Sequence, residues 1–267
     1  MDNKIDVSII LPIKTATARD FDDYLKKAID SIINQKVSVN ELVIVHTDEE
    51  LLETKLNNYD FGSLNVKKVK WIDEPNFAKQ MNAGIESASS EWVSFLEFDD
   101  EYSGIWFDNV KKYIDLYKDV KAFLPIVIDV DEKGLFAGFT NEATFASNFS
   151  QEVGFLTNET LHNFQNFQTA GMVVKKDIIK EYGGFKGNFK LTFVYEFLLR
   201  LTFNSVKIMT IPKLGYKHVN LREGSIFWNY KNGDNILTEQ EVKFWIESAK
   251  KEYFFKDERQ LKFTPQF

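Results

Sequence analysis

The sequence predicts an α/β fold: a sheet, parallel in its first half and flanked by helices, followed by a helical tail. Three observations predict it. Short β-branched runs alternate with stretches of helical periodicity through the first hundred residues. Proline and small polar residues punctuate that alternation. One capped amphipathic stretch stands near the C-terminus.

The elements follow in order. Val7–Leu11 is a short apolar run ended by Pro12, a buried strand by length and punctuation. Asp20 is placed to cap a helix in which Tyr24, Leu25, Ala28, Ile29, Ile32 and Ile33 recur at helical spacing. Leu42–Val45 is a second buried strand, 49–56 a short helix and Val66–Trp71 a third strand. Pro75-Asn76 opens a helix with Phe77, Met81 and Ile85 on one face, and Trp92–Leu96 is a fourth strand. Such repeats build a parallel sheet that binds ligands at the carboxyl ends of its strands. The second half is less regular. Ala122–Asp129 reads as a strand, while 131–166 is rich in Phe, Asn and Thr without clear period. Tyr182-Gly183-Gly184-Phe185 is a turn, Phe193–Phe203 a helix, and Val206–Ile211 a strand closed by Pro212. Thr238 and Glu241 form a capping box for a helix with Val242, Trp245, Ile246 and Ala249 on one face.

Composition excludes several classes. The 267 residues are 44% hydrophobic and 27% charged, enough for a packed core. Lys plus Arg is 33 against 40 Asp plus Glu, and a net charge of −7 argues against nucleic-acid binding. Cysteine is absent, which removes disulfides, thiolate nucleophiles and Cys-type zinc sites. No basic start precedes the first apolar run, and no run approaches the ~20 residues of a membrane helix, so an intracellular, cytoplasmic protein is expected. The Asn148-Phe149-Ser150 and Asn158-Glu159-Thr160 tripeptides therefore carry no weight as glycosylation sites.

Glu97-Phe98-Asp99-Asp100 follows the fourth strand directly. Alternate residues of an extended segment point the same way, so Glu97 and Asp99 are expected to converge while Phe98 faces the core. Converging carboxylates suit Mg²⁺ or Mn²⁺. A solvated acidic turn is the plainer alternative.

The surrounding residues resemble family 2 glycosyltransferases of the GT-A fold. The resemblance rests on Val7-Ser8-Ile9-Ile10-Leu11-Pro12, the following helix, Glu41-Leu42-Val43-Ile44-Val45, Asn82-Ala83-Gly84-Ile85 and Phe95 to Asp100. Tyr182 to Phe185, Leu198-Leu199-Arg200 and Tyr216-Lys217-His218 are similar to the family's acceptor-side half. The region from Tyr216 to Tyr253 also looks like glycosyltransferase-like proteins of cyanobacterial phages, for which the host cytoplasm would be the location. The resemblance implies a Rossmann-like nucleotide-binding half over 1–101, an acceptor-side half over 102–225 and a helical extension over 226–267. It implies a divalent cation, a nucleotide-sugar donor, UDP-linked by expectation, and a saccharide or other hydroxyl acceptor. A homodimer stays open.

Carried over residue by residue, Pro12, Ile13 and Thr15 would border the nucleobase. The family's acidic pair after the second strand reads His46-Thr47 here, with Asp48 just beyond, so that contact is altered or shifted. Lys79, Gln80 and Asn82 lie on the helix that lines the nucleotide, although a solvated Lys79 and an Asn82 that ties down a turn are the plainer readings. Glu97 and Phe98 would sit at the ribose, Asp99 would bind the metal, and Asp100 would orient the site. His218 would complete the metal shell, and Arg222 would reach the diphosphate. The family's general base lies in an acidic pair whose positions here are Phe193-Val194, neither able to accept a proton. Glu196 is the nearest substitute, against an i,i+4 ion pair with Arg200. The implied activity is inverting sugar transfer, the alternative a catalytically silent nucleotide- or sugar-binding relative. A dehydrogenase and a nucleotidyltransferase are excluded, since no Gly-rich phosphate loop follows the first strand.

Overall fold

The computed structural model describes residues 3–147 and 154–265; the Asn148-Phe149-Ser150 tripeptide lies outside them. The first half alternates as expected: β1 (Val7–Ile13), α1 (Phe21–Ile33), β2 (Glu41–Thr47), α2 (Glu50–Asn58), β3 (Val66–Trp71), α3 (Phe77–Ser87) and β4 (Trp92–Phe95). Then come β5 (Glu101–Tyr102), α4 (Trp106–Leu116), β6 (Ala122–Val130), β7 (Phe136–Thr140), α5 (Ala143–Ala146), β8 (Gly154–Leu156) and α6 (Asn158–Asn163). The chain continues through β9 (Val173–Lys175), α7 (Lys176–Tyr182), α8 (Phe193–Phe203), β10 (Ile208–Val219), α9 (Ile226–Asn232) and α10 (Glu239–Glu252).

One sheet joins the strands in the order β3-β2-β1-β4-β9-β6-β10-β5, with β7 added to β6 and β8 to β10. The β3-β2-β1-β4 block is parallel, while β9 runs antiparallel to both β4 and β6. Both faces of β1 are buried, which is why it reads as a continuous apolar run. Val7, Ile9, Leu11 and Ile13 pack into the cluster under α1, whereas Ile10 enters the opposite cluster with α3 and α8. The period of two is thereby written into the core.

Two local expectations need correction. Asp20 occupies the N-cap of α1 but in left-handed geometry (φ 56°), and its side chain makes no capping hydrogen bond. Pro212 does not close the last strand. The ladder between β10 and β6 shifts register between Ile211 and Leu214, so a bulge absorbs the proline and the strand runs on to Val219. That extension carries Tyr216, Lys217 and His218 into the sheet. The capping box of α10 is present, with the Glu241 carboxylate accepting from the Thr238 amide at 2.9 Å. This helix packs on α8 and buries Trp245 and Ala249 in the α3-side core, whereas α9 buries no residue. Among the described residues no helix is long and apolar enough to cross a membrane.

Candidate active site

A cavity of about 800 Å³ opens at the carboxyl ends of β1 and β4. Its walls come from the segment after β1, one face of α3, the acidic turn after β4, the start of α8 and the chain following β10.

The acidic segment is a turn, not an extended strand. The Asp100 amide donates to the Glu97 carbonyl at 3.1 Å, closing a four-residue turn that brings residues 97 and 100 to the same side. Directly afterwards β5 pairs antiparallel with β10, Glu101 opposite Lys217 and Tyr102 opposite Tyr216. The next step of that register sets Asp100 beside His218. The His218 Nδ1 lies 2.9 Å from Asp100 Oδ2, and the Val219 amide donates to Asp100 Oδ1 at 2.8 Å. Tyr216 reaches back, its hydroxyl accepting from the Glu97 amide at 3.0 Å.

The grouping therefore differs from the expected one. Ligand atoms of Glu97, Asp100 and His218 lie within 4.8 Å of one another. Asp99, the expected metal ligand, points elsewhere: its Oδ2 accepts from Arg222 Nε at 2.5 Å. Arg222 in turn lies 4.8 Å over the Phe98 ring, which packs on the core through Phe21 at 5.7 Å, as expected, and also lines the cavity.

Electrostatics reflect crowding. Burial and the Asp100 charge push the Glu97 carboxyl up to about 8. Asp99 is raised as well, by burial first and the Asp100 charge second, with Arg222 opposing. Burial disfavours the His218 imidazolium, yet the charge and hydrogen bond of Asp100, reinforced by Glu97 and Asp129, carry it up to about 10. Three carboxyl groups crowd beside two cations here, and the crowding keeps the proton on Glu97 at neutral pH. Hard oxygens and one imidazole converging, with protons on Glu97 and His218 that an incoming cation would displace, make a donor set that fits Mn²⁺ or Mg²⁺.

Other expected residues divide. Pro12 and Thr15 line the cavity, joined by Lys14, Thr17, Ala18 and Arg19, but Ile13 is buried in the core behind them. Neither His46 nor Asp48 is on the wall. His46 Nδ1 is spent on the Thr47 carbonyl, and Asp48 pairs with Lys70 at the surface. Thr47 has a supporting role, its hydroxyl donating to the Lys14 carbonyl at 2.5 Å and so fastening the loop after β1. Lys79 is exposed and off the cavity. Asn82 ties down the turn before α8, donating to the Phe185 carbonyl at 2.7 Å and accepting from its amide at 2.9 Å. Of Lys79, Gln80 and Asn82, Gln80 alone lines the cavity. Glu196, expected as the general base, is fully buried away from the cavity. It is bound by Lys186 at 3.0 Å and by the Arg200 guanidinium at 2.9 and 3.0 Å. Phe193, Val194 and Tyr195 line the wall in its place. The basic pair Lys14 and Arg19, just past a strand end, was a signal the sequence offered and the motif reading passed over.

The profile described as "Glycosyl transferase family 2" matches residues 8–183, the larger part of the chain. The chain belongs to glycosyl transferase family 2. The match stops short of α8 and β10, so His218 and Arg222 lie beyond it. No curated protein matches the sequence. Among solved structures, the family 2 chain is similar to S. aureus TarS 1-349 in complex with UDP-GlcNAc, with TM-score 0.68 and 15% identity over 92% of this chain and 65% of that one. The complex of TarS 1-349 with UDP gives TM-score 0.62 and 16% identity, covering 94% and 72%. Longer S. aureus TarS gives TM-score 0.59 and 17% identity, covering 94% of this chain and 44% of that one. At these identities the likeness is one of fold, and it agrees with the GT-A architecture. The chain spans less than two thirds of the first of these structures.

Proposed function

We propose that this protein transfers a sugar from a UDP-linked donor to an acceptor hydroxyl with inversion, using a divalent cation. The observation that carries the reading is the Glu97, Asp100 and His218 cluster at a strand end, with Glu97 and His218 in the wall of a cavity of about 800 Å³ and Asp100 fully buried beside them. Family membership supports the reaction class, and the UDP and UDP-GlcNAc complexes of TarS support the donor class.

The acceptor oxygen forms a bond to the anomeric carbon as the bond from that carbon to the diphosphate oxygen breaks. The hydroxyl proton passes to a base, and the nucleoside diphosphate leaves with the bonding pair. Glu97, Asp100 and His218 would hold Mn²⁺ or Mg²⁺, which supplies Lewis-acid neutralisation of the leaving diphosphate. Arg222 and Arg19 on the same wall add cationic charge toward the phosphates, with Arg suited to paired oxyanion contacts. Pro12 and Thr15 border the nucleoside. Carboxylates on the described wall are Glu97, Asp99 and Glu223; with Glu97 given to the cation, a base from this chain is Asp99 or Glu223.

A second reading, binding without transfer, is favoured by one observation: Phe193, Val194 and Tyr195 face the cavity where a base-bearing segment was expected. The deciding experiment combines calorimetry of UDP and UDP-sugars, with and without Mn²⁺, with an assay for donor hydrolysis and transfer. Binding that strengthens with Mn²⁺ and is accompanied by UDP release supports transfer. Binding without UDP release over a broad donor and acceptor panel supports the second reading. No nucleotide binding refutes both.

A further inference from the structure

Helix α3 turns Phe77, Gln80 and Met81, spaced i, i+3 and i+4, to the cavity. Phe77 and Met81 are the apolar material such a face ordinarily carries. Gln80 is not. Its side chain is only 2% exposed, and its amide nitrogen makes no hydrogen bond among the described residues. A buried amide without a partner is costly, and folded proteins pair nearly all such groups with protein, water or ligand.

The adjoining wall is apolar. The Phe77 ring lies 5.9 Å from that of Phe193, and Phe167, Leu191 and Val194 line the same cavity. An apolar surface carrying one placed amide suits a ring with a hydrocarbon face and a hydroxyl edge. Its position agrees. Helix α3 packs on β1 and β2, in the half that ends in the acidic turn, whereas Phe193 and Val194 open α8 in the other half. The amide thus stands where the donor side meets the acceptor side, the place a transferring sugar has to occupy.

We propose that Gln80 is the specificity-determining residue for the transferred sugar. Its amide hydrogen-bonds a ring hydroxyl while the Phe77 and Phe193 wall takes the ring face. This rests on the UDP-sugar reading above. A site built around such a bond rejects an analogue lacking the hydroxyl, because the amide is then left unpaired again.

The test uses Gln80→Met, which keeps length and helix propensity but removes both polar atoms, and Gln80→Ala as a second variant. Calorimetry with UDP, UDP-glucose, UDP-galactose and UDP-GlcNAc in Mn²⁺ separates the nucleotide contribution from the sugar contribution. At least one UDP-sugar is expected to bind wild type about 10-fold more tightly than UDP. Both variants should lose that increment and hold UDP within about 2-fold, and Gln80→Met should melt no lower than wild type. An increment that survives in both variants, or UDP binding weakened as much as sugar binding, overturns the role of Gln80. Wild-type binding of UDP with no sugar increment overturns it too while leaving the donor reading standing. Failure of wild type to bind UDP at all overturns the donor reading itself, and this role with it.

Discussion

Replacing Glu196 by Gln removes the anion from a triad that solvent scarcely reaches. Glu196, Arg200 and Lys186 are 0%, 1% and 2% exposed. The carboxylate takes Arg200 in a two-pronged contact at 2.9 and 3.0 Å and Lys186 at 3.0 Å. Both cations also hold backbone. Arg200 donates to the carbonyls of Tyr182, Gly183 and Gly184, and Lys186 to those of Glu252 and Phe255. Without Glu196 two buried positive charges keep only carbonyl partners. Removing one member of a buried ion pair costs about 3–5 kcal/mol. At roughly 2–4 °C per kcal/mol for a chain of this size, melting should fall by about 6–20 °C. Loosening should show first where the cations are anchored, as faster amide exchange around the 182–185 turn and residues 252–256. Well below the transition, UDP affinity should stay within about 2-fold, since Glu196 does not line the cavity. Differential scanning calorimetry, exchange and a turnover assay on the same samples decide the matter. A variant that melts within about 2 °C of wild type but turns over about 100-fold more slowly would put Glu196 back at the acceptor hydroxyl and refute this reasoning.

Three further outcomes follow from the geometry. Asp100→Asn should weaken Mn²⁺-dependent UDP binding by about 10-fold or more, whereas Asp99→Asn, which faces Arg222, should keep the cation dependence; calorimetry with and without a chelator compares them. His218→Ala should weaken Mn²⁺ binding by about 10-fold with the fold intact by circular dichroism; equal affinity would place the imidazole outside the cation's reach. Glu41 is penalised by burial, but hydrogen bonds from Ser8 at 2.6 Å and the Ser89 amide at 2.5 Å outweigh it and hold its carboxyl below 4.5. The folded state then binds fewer protons than the unfolded one. The stabilisation is complete above about 4.5 and lost as pH falls through the folded value, so Glu41→Gln should flatten the acid limb of melting temperature against pH.

What was legible in the sequence is what local periodicity encodes. Strand β3 and helix α8 have the bounds their residues imply, and the capping box of α10 forms because all its parts lie within four residues. Helix α4 went unread although Trp106, Phe107 and Val110 form its buried face. The site failed to read wherever its geometry is set from a distance. Alternation along an extended chain pairs Glu97 with Asp99, but the chain turns there because β5 must meet β10, and the turn pairs Glu97 with Asp100. His218 joins them across 118 positions only because a bulge lets β10 continue past Pro212. Glu196 misled for a different reason. Helix α8 buries residues all round its circumference, from Tyr195 through Leu201, so no polar face marks which side meets the cavity. A carboxylate on such a helix is either at a site or locked in an ion pair. The Lys186 that decides between them lies ten residues earlier, beyond a turn that Asn82 of α3 holds in place. The residues that carry the chemistry are thus named by the sequence, while their partners are chosen by strand register and by the seam between the two halves.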